Sequence, residues 1–263
     1  MLNLITKTSK YLIVVSALFL AGCSSAGQLS DIEKRYEHNV SKKVLIHMDI
    51  KTMFPSEDLR KLAEAAGKGK TSVIDKLINE GVDVNARGTE NATALFWSMR
   101  NERGFNYLLA KGADPNVVFG DGGSVMHWAA RKQNCSMLAS TLKHGGNPNL
   151  SAGLFGGSPA FATISVGKEN GIPECLKMLL SNNADLEFRD ERGKTLLLFS
   201  AGLARFDIAL FLLDKGADPT VVDIDGKNMI SILNSYKNAF NPGSTTEENW
   251  TKLKKRLDKL GIR

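Results

Sequence analysis

Histidine and cysteine are the residue types of this chain best suited to metal binding or nucleophilic catalysis, and both are scarce. The four histidines are His38, His47, His127 and His144, and the three cysteines are Cys23, Cys135 and Cys175. No pair or cluster among them has the spacing of a metal site. The chain also lacks a G-x-S-x-G nucleophile motif and a glycine-rich phosphate-binding loop. We therefore predict a protein that is not an enzyme, with no cofactor and no bound metal.

His127 lies in a segment, residues 122–149, with a helix–turn–helix pattern. The segment starts its first helix with the sequence SVMHWAA at Ser124 and closes its second helix with GGNPN at Gly145. It resembles one ankyrin repeat, whose T-P-L-H-x-A-A start and G-A-D-x-N end match those two stretches. The resemblance implies that the His127 imidazole hydrogen-bonds backbone between repeats and has no catalytic role.

The same pattern recurs along the chain. Similar helix starts occur at Leu62, Thr93, Ser158 and Thr195. The residues that close the second helix of each repeat, called the closing positions, are Gly81, Gly112, Gly145, Asn183 and Gly216. Their spacings of 31, 33, 38 and 33 residues lie near the ankyrin period of about 33. Glycine and asparagine accept the left-handed conformation that follows a helix. We predict an all-α ankyrin-repeat solenoid of five to six repeats over residues 56–240, because one repeat alone cannot bury its apolar face.

The end of the chain reads as a helix that closes the repeat array. Residues 241–263 begin with a loop and then with Ser244, Thr245, Thr246 and Glu247, a capping-box pattern. An apolar stripe follows at Trp250, Leu253, Leu257 and Leu260 beneath a charged face. We predict a C-terminal capping helix in residues 241–263.

The beginning of the chain reads as an export signal. Residues 1–22 carry Lys7 and Lys10 before a short apolar run at residues 11–20, and then Leu20, Ala21 and Gly22 precede Cys23. This tetrapeptide resembles the lipobox of bacterial lipoproteins. The resemblance implies cleavage before Cys23 and attachment of lipid acyl chains such as palmitate to Cys23, and Ser24 implies the outer membrane. The alternative is an ordinary cleaved signal peptide.

Residues 23–55 are polar and predict a flexible tether.

The positive charge of the chain is concentrated at one end. The net charge is +6, and residues 247–263 carry six basic and three acidic residues. A nucleic-acid-binding protein is expected to show a basic stripe through the fold, so we predict no nucleic-acid partner.

Cys135 and Cys175 fall early in the second helices of adjacent repeats. They could form a disulfide between the third and fourth repeats, or they could be two small apolar core residues. Neighbouring helices of such an array usually hold their Cα atoms too far apart for a disulfide. We therefore expect two unpaired, buried cysteines.

The positions that the ankyrin fold leaves free predict the partner-binding surface. One position of the first helix is aromatic in three repeats, at Trp97, Trp128 and Phe199. These side chains serve either packing between repeats, which we prefer, or a binding platform. The fingertip turns and exposed inner-helix positions of such repeats usually contact partners. Together they predict a partner-binding set of Glu90, Arg100, Asn101, Asp121, Trp128, Arg131, Lys132, Leu154, Phe155, Glu191, Arg192 and Asp225.

Phe155 is the predicted apolar anchor of that set. Leu154 and Phe155 are two large apolar residues at a turn between Gly153 and Gly156, where little core is available to them. The alternative is that this turn folds back on Phe119 of the preceding fingertip.

The combination of lipobox and ankyrin repeats resembles a group of Gram-negative lipoproteins. These are ankyrin-type immunity proteins that accompany phospholipase effectors of the type VI secretion system, and the F-P-S-x-x-L-x-x-L-A-x-A-A-x-x-G pattern at residues 54–69 adds to the resemblance. It implies a periplasmic toxin inhibitor that binds the toxin by protein–protein interaction. The alternatives are a structural envelope lipoprotein that scaffolds resident proteins, and a lipoprotein that protects a periplasmic enzyme such as a catalase. Initiation at Met48 or Met53 would give an unexported, cytoplasmic form.

Overall fold

The fold is all-α, as the sequence predicts. In a computed structural model, the described residues are 48–152, 156–164, 171–237 and 239–262. They form thirteen α-helices, and their only strand-like pairing is an isolated bridge between Val118 and Ser124. Along these residues, no helix combines the length and the apolar character needed to cross a membrane.

The helices are short and come in pairs that match the predicted repeats. Five pairs lie in order along the chain as α2 with α3, α4 with α5, α6 with α7, α8 with α9, and α10 with α11. The bounds are α1 Ile50–Met53, α2 Glu57–Gly67, α3 Thr71–Asn79, α4 Ala94–Ser98, α5 Glu102–Ala110, α6 Val125–Ala130, α7 Ser136–Lys143, α8 Pro159–Ala162, α9 Glu174–Ser181, α10 Leu196–Gly202, α11 Phe206–Asp214, α12 Met229–Ser235 and α13 Thr245–Lys259.

The described residues divide into two compact units. The N-terminal unit holds residues 48–152, 156–163 and 173–185, and therefore helices α1 to α9. The C-terminal unit holds residues 164, 171–172, 186–237 and 239–262, and therefore helices α10 to α13.

Side-chain caps fix where the first helix of a repeat begins. The hydroxyl oxygens of Thr93, Ser124 and Thr195 accept hydrogen bonds from the backbone N–H three residues later, at 3.1, 3.3 and 3.4 Å. Such a cap satisfies one of the N–H groups that a helix start leaves unpaired. At the equivalent position in the fourth repeat, Ser158 makes no such bond and Pro159 occupies the first turn. The aligned starts at Thr93, Ser124, Ser158 and Thr195 are thus helix starts in the structure. The expected start at Leu62 was wrong, because α2 begins at Glu57 and Leu62 lies in its middle.

The closing positions have the backbone conformation expected from their residue types. Gly81, Gly112, Gly145 and Gly216 have φ between 83° and 94°, and Asn183 has φ 63°. A Cβ at any of these four glycines would meet nothing within 4 Å, so the conformation and not the available space favours glycine there.

Helix-to-helix contact in the N-terminal unit depends on small residues. A Cβ at Gly104, the third residue of α5, would lie 1.8 Å from the carbonyl oxygen of Ala66 in α2. Ala63 and Ala66 are fully buried, as is Leu62 beside them. The close approach of α2 and α5 therefore requires glycine at position 104.

The helical part of the chain begins before the boundary expected at residue 56. Asp49 caps α1 by accepting from the N–H groups of Lys51 and Thr52, at 2.9 and 3.0 Å. Met53 and Phe54 are 1% and 0% exposed. Burying these two apolar side chains ties residues 49–54 to the N-terminal unit.

The C-terminal unit ends in the predicted helix, α13. Ser244 caps it by accepting from the Glu247 N–H at 3.3 Å, and the Glu247 carboxylate accepts from the Gly243 N–H at 2.7 Å. Leu253 and Leu257 are fully buried, whereas Leu260 at the helix end is 52% exposed. The apolar stripe thus contributes to the core only up to Leu257.

A largely buried ion pair fixes the backbone at Gly171, near the end of a segment at residues 165–173 that lengthens the connection between α8 and α9. The Arg205 guanidinium donates to both oxygens of Asp207, at 3.0 and 2.9 Å, and to the carbonyl oxygen of Gly171 at 2.6 Å. Asp207 in turn accepts from the Gly171 N–H at 3.0 Å. Residues 165–170 of that segment lie outside the described residues.

The expectation of two unpaired cysteines was wrong. Cys135 and Cys175 form a disulfide with an S–S distance of 2.03 Å and a Cα–Cα distance of 5.4 Å. Cys135 precedes α7 and Cys175 lies in the first turn of α9. The argument from helix spacing failed because the bond joins two helix starts, where the chain enters each helix, and does not cross between helix midpoints.

Candidate functional site

The N-terminal unit contains an open groove of about 400 Å³. Its walls come from α1, from the first helices of the second and third repeats, and from the residues that follow those two helices. The lining residues are Met53, Phe96, Trp97, Met99, Arg100, Trp128, Arg131 and Lys132. The repeat pattern places them together because Trp97 in α4 and Trp128 in α6 occupy the same phase.

Aromatic contacts hold one wall of the groove in place. The Trp97 ring meets Phe54 edge to face, with centroids 6.1 Å apart. Phe96 packs against the buried Phe119, with centroids 4.8 Å apart. Trp97 and Trp128 are each half-buried. Trp97 therefore packs against a buried side chain, and both indoles also line the open groove. A role of these indoles as a binding platform stays a prediction.

Three cations surround this apolar surface. The Arg100 guanidinium carbon lies 3.3 Å from the centre of the Trp97 ring, which is a cation–π contact. Burial lowers the pKa of Arg100 from its ordinary value. The Lys132 ammonium donates to the carbonyl oxygen of Met99 at 3.1 Å and lies 3.4 Å from the sulfur of Met137. Arg131 is exposed.

Among the described residues, none of these three cations has an acidic partner. The groove lining contains no aspartate or glutamate. The ion pairs found among the described residues involve other cations throughout. The groove therefore presents uncompensated positive charge beside aromatic and thioether groups.

The disulfide lies next to the groove. The sulfur of Cys175 is 3.1 Å from the carbonyl oxygen of Lys132, and Cys135 is three residues beyond Lys132. The covalent bond thus ties the segment that carries Arg131 and Lys132 to the start of α9. This restraint was not predicted from the sequence.

His127 has the structural role that its sequence position predicts. Its Nε2 lies 2.9 Å from the carbonyl oxygen of Gly157 in the next repeat, and its Nδ1 lies 2.7 Å from the Ser124 hydroxyl oxygen. A carbonyl oxygen only accepts, so Nε2 carries the proton and Nδ1 accepts from Ser124 in the neutral ring. Burial is the largest influence on this imidazole and lowers its pKa.

Three other predicted residues of the N-terminal unit make hydrogen bonds to backbone N–H groups. The Asn101 side chain caps α5 by accepting from the Gly104 N–H at 3.0 Å. The Asp121 carboxylate accepts from the Gly123 N–H at 2.9 Å within its turn. Glu90 is exposed, and its carbonyl oxygen accepts from the Gly120 N–H at 2.8 Å. None of the three lines the groove.

Three predicted residues lie at turns of the C-terminal unit. Glu191 and Asp225 are exposed, and Arg192 is half-buried. The Arg192 and Asp225 N–H groups donate to the carboxylates of Asp190 and Asp223, at 2.9 and 3.0 Å. The remaining predicted site residues, Cys23, Leu154 and Phe155, lie outside the described residues.

The groove therefore unites Arg100, Trp128, Arg131 and Lys132 from the predicted set. Sequence reasoning missed Met53, Phe96 and Met99 as lining residues. The adjacent apolar pair Met53 and Phe54, directly before the first repeat, was the available signal that residues 53–54 are folded. No cluster of three or more His, Cys, Asp or Glu side chains suited to a metal ion occurs in the ranges that the structure describes.

Comparison with known proteins supports the ankyrin-repeat fold. A family model described as ankyrin repeats in three copies matches residues 126–223. An ankyrin repeat domain from Acinetobacter baumannii AYE superposes with a TM-score of 0.61 and 21% identity, over 77% of this chain and 98% of that chain. The chain therefore contains ankyrin repeats and has the ankyrin-repeat fold.

Curated proteins with similar sequences come from animals, yeast, a virus and a bacterium. Human SH3 and multiple ankyrin repeat domains protein 1 is 29% identical over 167 residues, which is 62% of this chain and 8% of that protein. Protein PhlB from Serratia liquefaciens is 31% identical over 146 residues, which is 55% of this chain and 62% of PhlB. The chain thus spans a small part of the human relative and less than two thirds of PhlB. Ankyrin repeats imply protein–protein interaction.

Proposed function

We propose that this protein is an exported, lipid-anchored ankyrin protein that binds and inhibits a phospholipase effector of the type VI secretion system. It would act as an immunity protein by covering the entrance of the toxin's active site in the periplasm. The observation that carries this proposal is the groove of the N-terminal unit, where Arg100, Arg131 and Lys132 line an aromatic surface and pair with no acidic residue of the described ranges.

The groove has the residue types that concentrate binding energy at protein interfaces. Tryptophan and arginine are enriched among residues whose loss costs most binding energy. Trp97 and Trp128 offer half-buried indoles that a partner can finish burying. Burying one large apolar side chain supplies about 1.5–3 kcal/mol. Unpaired cations on the rim accelerate association with an acidic partner more than they tighten the complex.

Two observations support export. The segment before Cys23 resembles a lipobox, and Cys135 and Cys175 form a disulfide. Disulfides persist in oxidising compartments such as the bacterial periplasm and are rare in the cytosol. A lipid on Cys23 would hold the protein at the membrane, where a phospholipase must arrive to reach its substrate.

Protection by occlusion demands tight binding. An inhibitor must stay bound to the toxin even when both proteins are dilute. We therefore expect a dissociation constant in the nanomolar range or below, which corresponds to a binding free energy of about −12 kcal/mol. An interface of that kind usually buries about 1,600 Å² in total. The groove would then be its centre, with turns such as those of Glu90 and Asp121 at the rim.

The competing function is scaffolding of resident envelope proteins, and a further one is protection of a periplasmic enzyme such as a catalase. The neighbouring open reading frame separates these functions. A lipase with a G-x-S-x-G motif beside this gene favours immunity, whereas cell-wall or transport genes favour scaffolding.

The deciding experiment is a competition between strains. Cells that lack this gene face an attacker that delivers the neighbouring lipase, and complementation uses either the wild type or an Arg131→Glu, Lys132→Glu variant. The matched control is Lys252→Glu, Lys255→Glu on α13, which changes the net charge equally. We expect protection by the wild type and by the control, and reduced protection by the groove variant. Unchanged survival of cells without the gene would overturn the immunity function.

A second, unexported product is part of this proposal. Initiation at Met48 would retain Asp49, which caps α1, whereas initiation at Met53 would remove most of that helix. We therefore expect Met48 to give the better-folded cytoplasmic form. An immunoblot after removal of the first start codon tests this, and the absence of any product would rule it out.

A further inference from the structure

We infer that the groove of the N-terminal unit binds a protein segment in which a large apolar side chain is flanked by carboxylates. This inference rests on the proposed protein-binding function and specifies the chemistry of the partner. It follows from the groove lining, which combines an apolar surface with cations that pair with no described carboxylate.

The apolar part of the groove selects a side chain rather than a small ion. Of the apolar lining residues, Met53 and Phe96 are 1% and 9% exposed, and the two indoles are half-buried. Aromatic and thioether groups adapt to aromatic or aliphatic side chains. An inorganic anion alone would leave this surface in contact with water.

The charged part of the groove selects carboxylates. The Arg100 guanidinium is fixed over the Trp97 ring, which sets the plane of its N–H groups before any partner arrives. The Lys132 ammonium is held by the Met99 carbonyl oxygen, and the neighbouring disulfide restrains the same segment. A planar guanidinium pairs with a carboxylate through two parallel hydrogen bonds. The pre-set orientation lowers the entropy lost on binding.

The size of the groove favours a peptide segment over a membrane lipid. Its volume of about 400 Å³ lies near the lower end of the 300–1,000 Å³ found for small-ligand pockets. That space suits one or two side chains. A lipid with two acyl chains would require a longer apolar channel.

The three tryptophans of the chain supply the measurement. Trp97 and Trp128 line the groove, whereas Trp250 lies on α13, and its indole N–H donates to the Leu233 carbonyl oxygen at 3.0 Å. Nitrogen-15 labelling of tryptophan in the full chain, held in neutral detergent, gives three indole N–H signals. Single Trp→Phe variants assign them.

The probe is the peptide acetyl-Asp-Glu-Phe-Leu-Glu-Asp-amide. Two control peptides replace its four acids by lysine or its two apolar residues by serine. We expect the acidic apolar peptide to shift the Trp97 and Trp128 signals and to leave the Trp250 signal in place. Each control peptide should require at least about tenfold more material for the same shift, which corresponds to about 1.4 kcal/mol.

Variants test the charge requirement in the same assay. Arg131→Glu with Lys132→Glu should weaken binding of the acidic apolar peptide about tenfold. Lys252→Glu with Lys255→Glu should leave it unchanged. Equal binding of the lysine peptide would overturn the inference. So would the absence of groove shifts at peptide concentrations up to about 10 mM, or groove shifts produced only by added phosphatidylglycerol.

The outcome is separable from that of the competition experiment. Peptide binding without protection of cells would leave the groove chemistry intact and remove the immunity function. Protection of cells without peptide binding would keep the immunity function and overturn this inference.

Discussion

The side chain of Asn116, at the end of the second repeat, hydrogen-bonds to the backbone of the third repeat at Asn147. Its Oδ1 accepts from the Asn147 N–H at 2.6 Å, and its Nδ2 donates to the Gly145 carbonyl oxygen at 2.9 Å. Asn85 and Asn149 make the same pair of bonds to the repeats that follow them. The asparagine that ends the closing stretch therefore connects each of the first three repeats to the repeat that follows it.

Replacing Asn116 by alanine should destabilise the N-terminal unit. The change removes two exposed hydrogen bonds that water can partly replace, and we expect a loss of about 0.5–1.5 kcal/mol. Asn182→Ala is the matched control, because its amide donates only to the Met178 carbonyl oxygen one turn earlier. Urea unfolding measures both. Equal unfolding midpoints for the two variants would contradict a connecting role of Asn116.

Removing the disulfide should lower the free energy of unfolding more than Asn116→Ala does. Cys135 and Cys175 are 40 residues apart in sequence. Closing a loop of that length restricts the unfolded chain by about 4 kcal/mol in the entropic description of disulfides. We expect Cys135→Ser with Cys175→Ser to unfold at lower urea concentration. Dithiothreitol should destabilise the wild type and leave the double variant unchanged, and an insensitive wild type would contradict the prediction.

The buried His127 should make stability depend on pH. Its pKa in the folded state is lowered, so the unfolded state binds a proton more readily. Its stabilising contribution is complete above the ordinary imidazole pKa of about 6.5 and is lost as the pH falls below that value. His127→Gln should therefore lower stability at neutral pH and flatten the dependence between about pH 5 and 7. Parallel curves for wild type and variant would refute this.

Core packing in the C-terminal unit depends on Leu212. It lies in α11 and is 0% exposed, whereas Leu260 is 52% exposed. Leu212→Ala should cost about 2–5 kcal/mol because it opens a cavity. Leu260→Ala should change stability by no more than about 0.5 kcal/mol. Thermal unfolding followed by circular dichroism compares the two variants, and similar losses would argue against the assigned repeat phase.

Acylation of Cys23 remains a prediction from the sequence. The mature protein should begin at Cys23 and carry acyl chains, and Cys23→Ala should leave the protein soluble or unprocessed. Intact-mass spectrometry of protein extracted from membranes measures this directly. A mature chain with an unmodified Cys23 would exclude the lipid anchor.

The repeat pattern was determined by the sequence because local rules govern it. Thr93, Ser124 and Thr195 cap helices wherever they occur in a suitable context, since the bond spans three residues. Gly112 and Asn183 accept a left-handed backbone by their own chemistry. These features need no knowledge of distant parts of the chain, so helix starts, closing turns and repeat phase could be predicted.

Contacts between distant segments were decided by the tertiary structure. Whether Cys135 reaches Cys175 depends on how closely two helix starts approach, and repeat spacing alone argued the wrong way. Met53 joined the groove because Phe54 is buried against Trp97, which anchors a segment expected to be a tether. Sequence placed Arg100, Trp128 and Lys132 on the inner helices. Only packing could put them around one groove without a carboxylate, because that arrangement depends on distances across repeats.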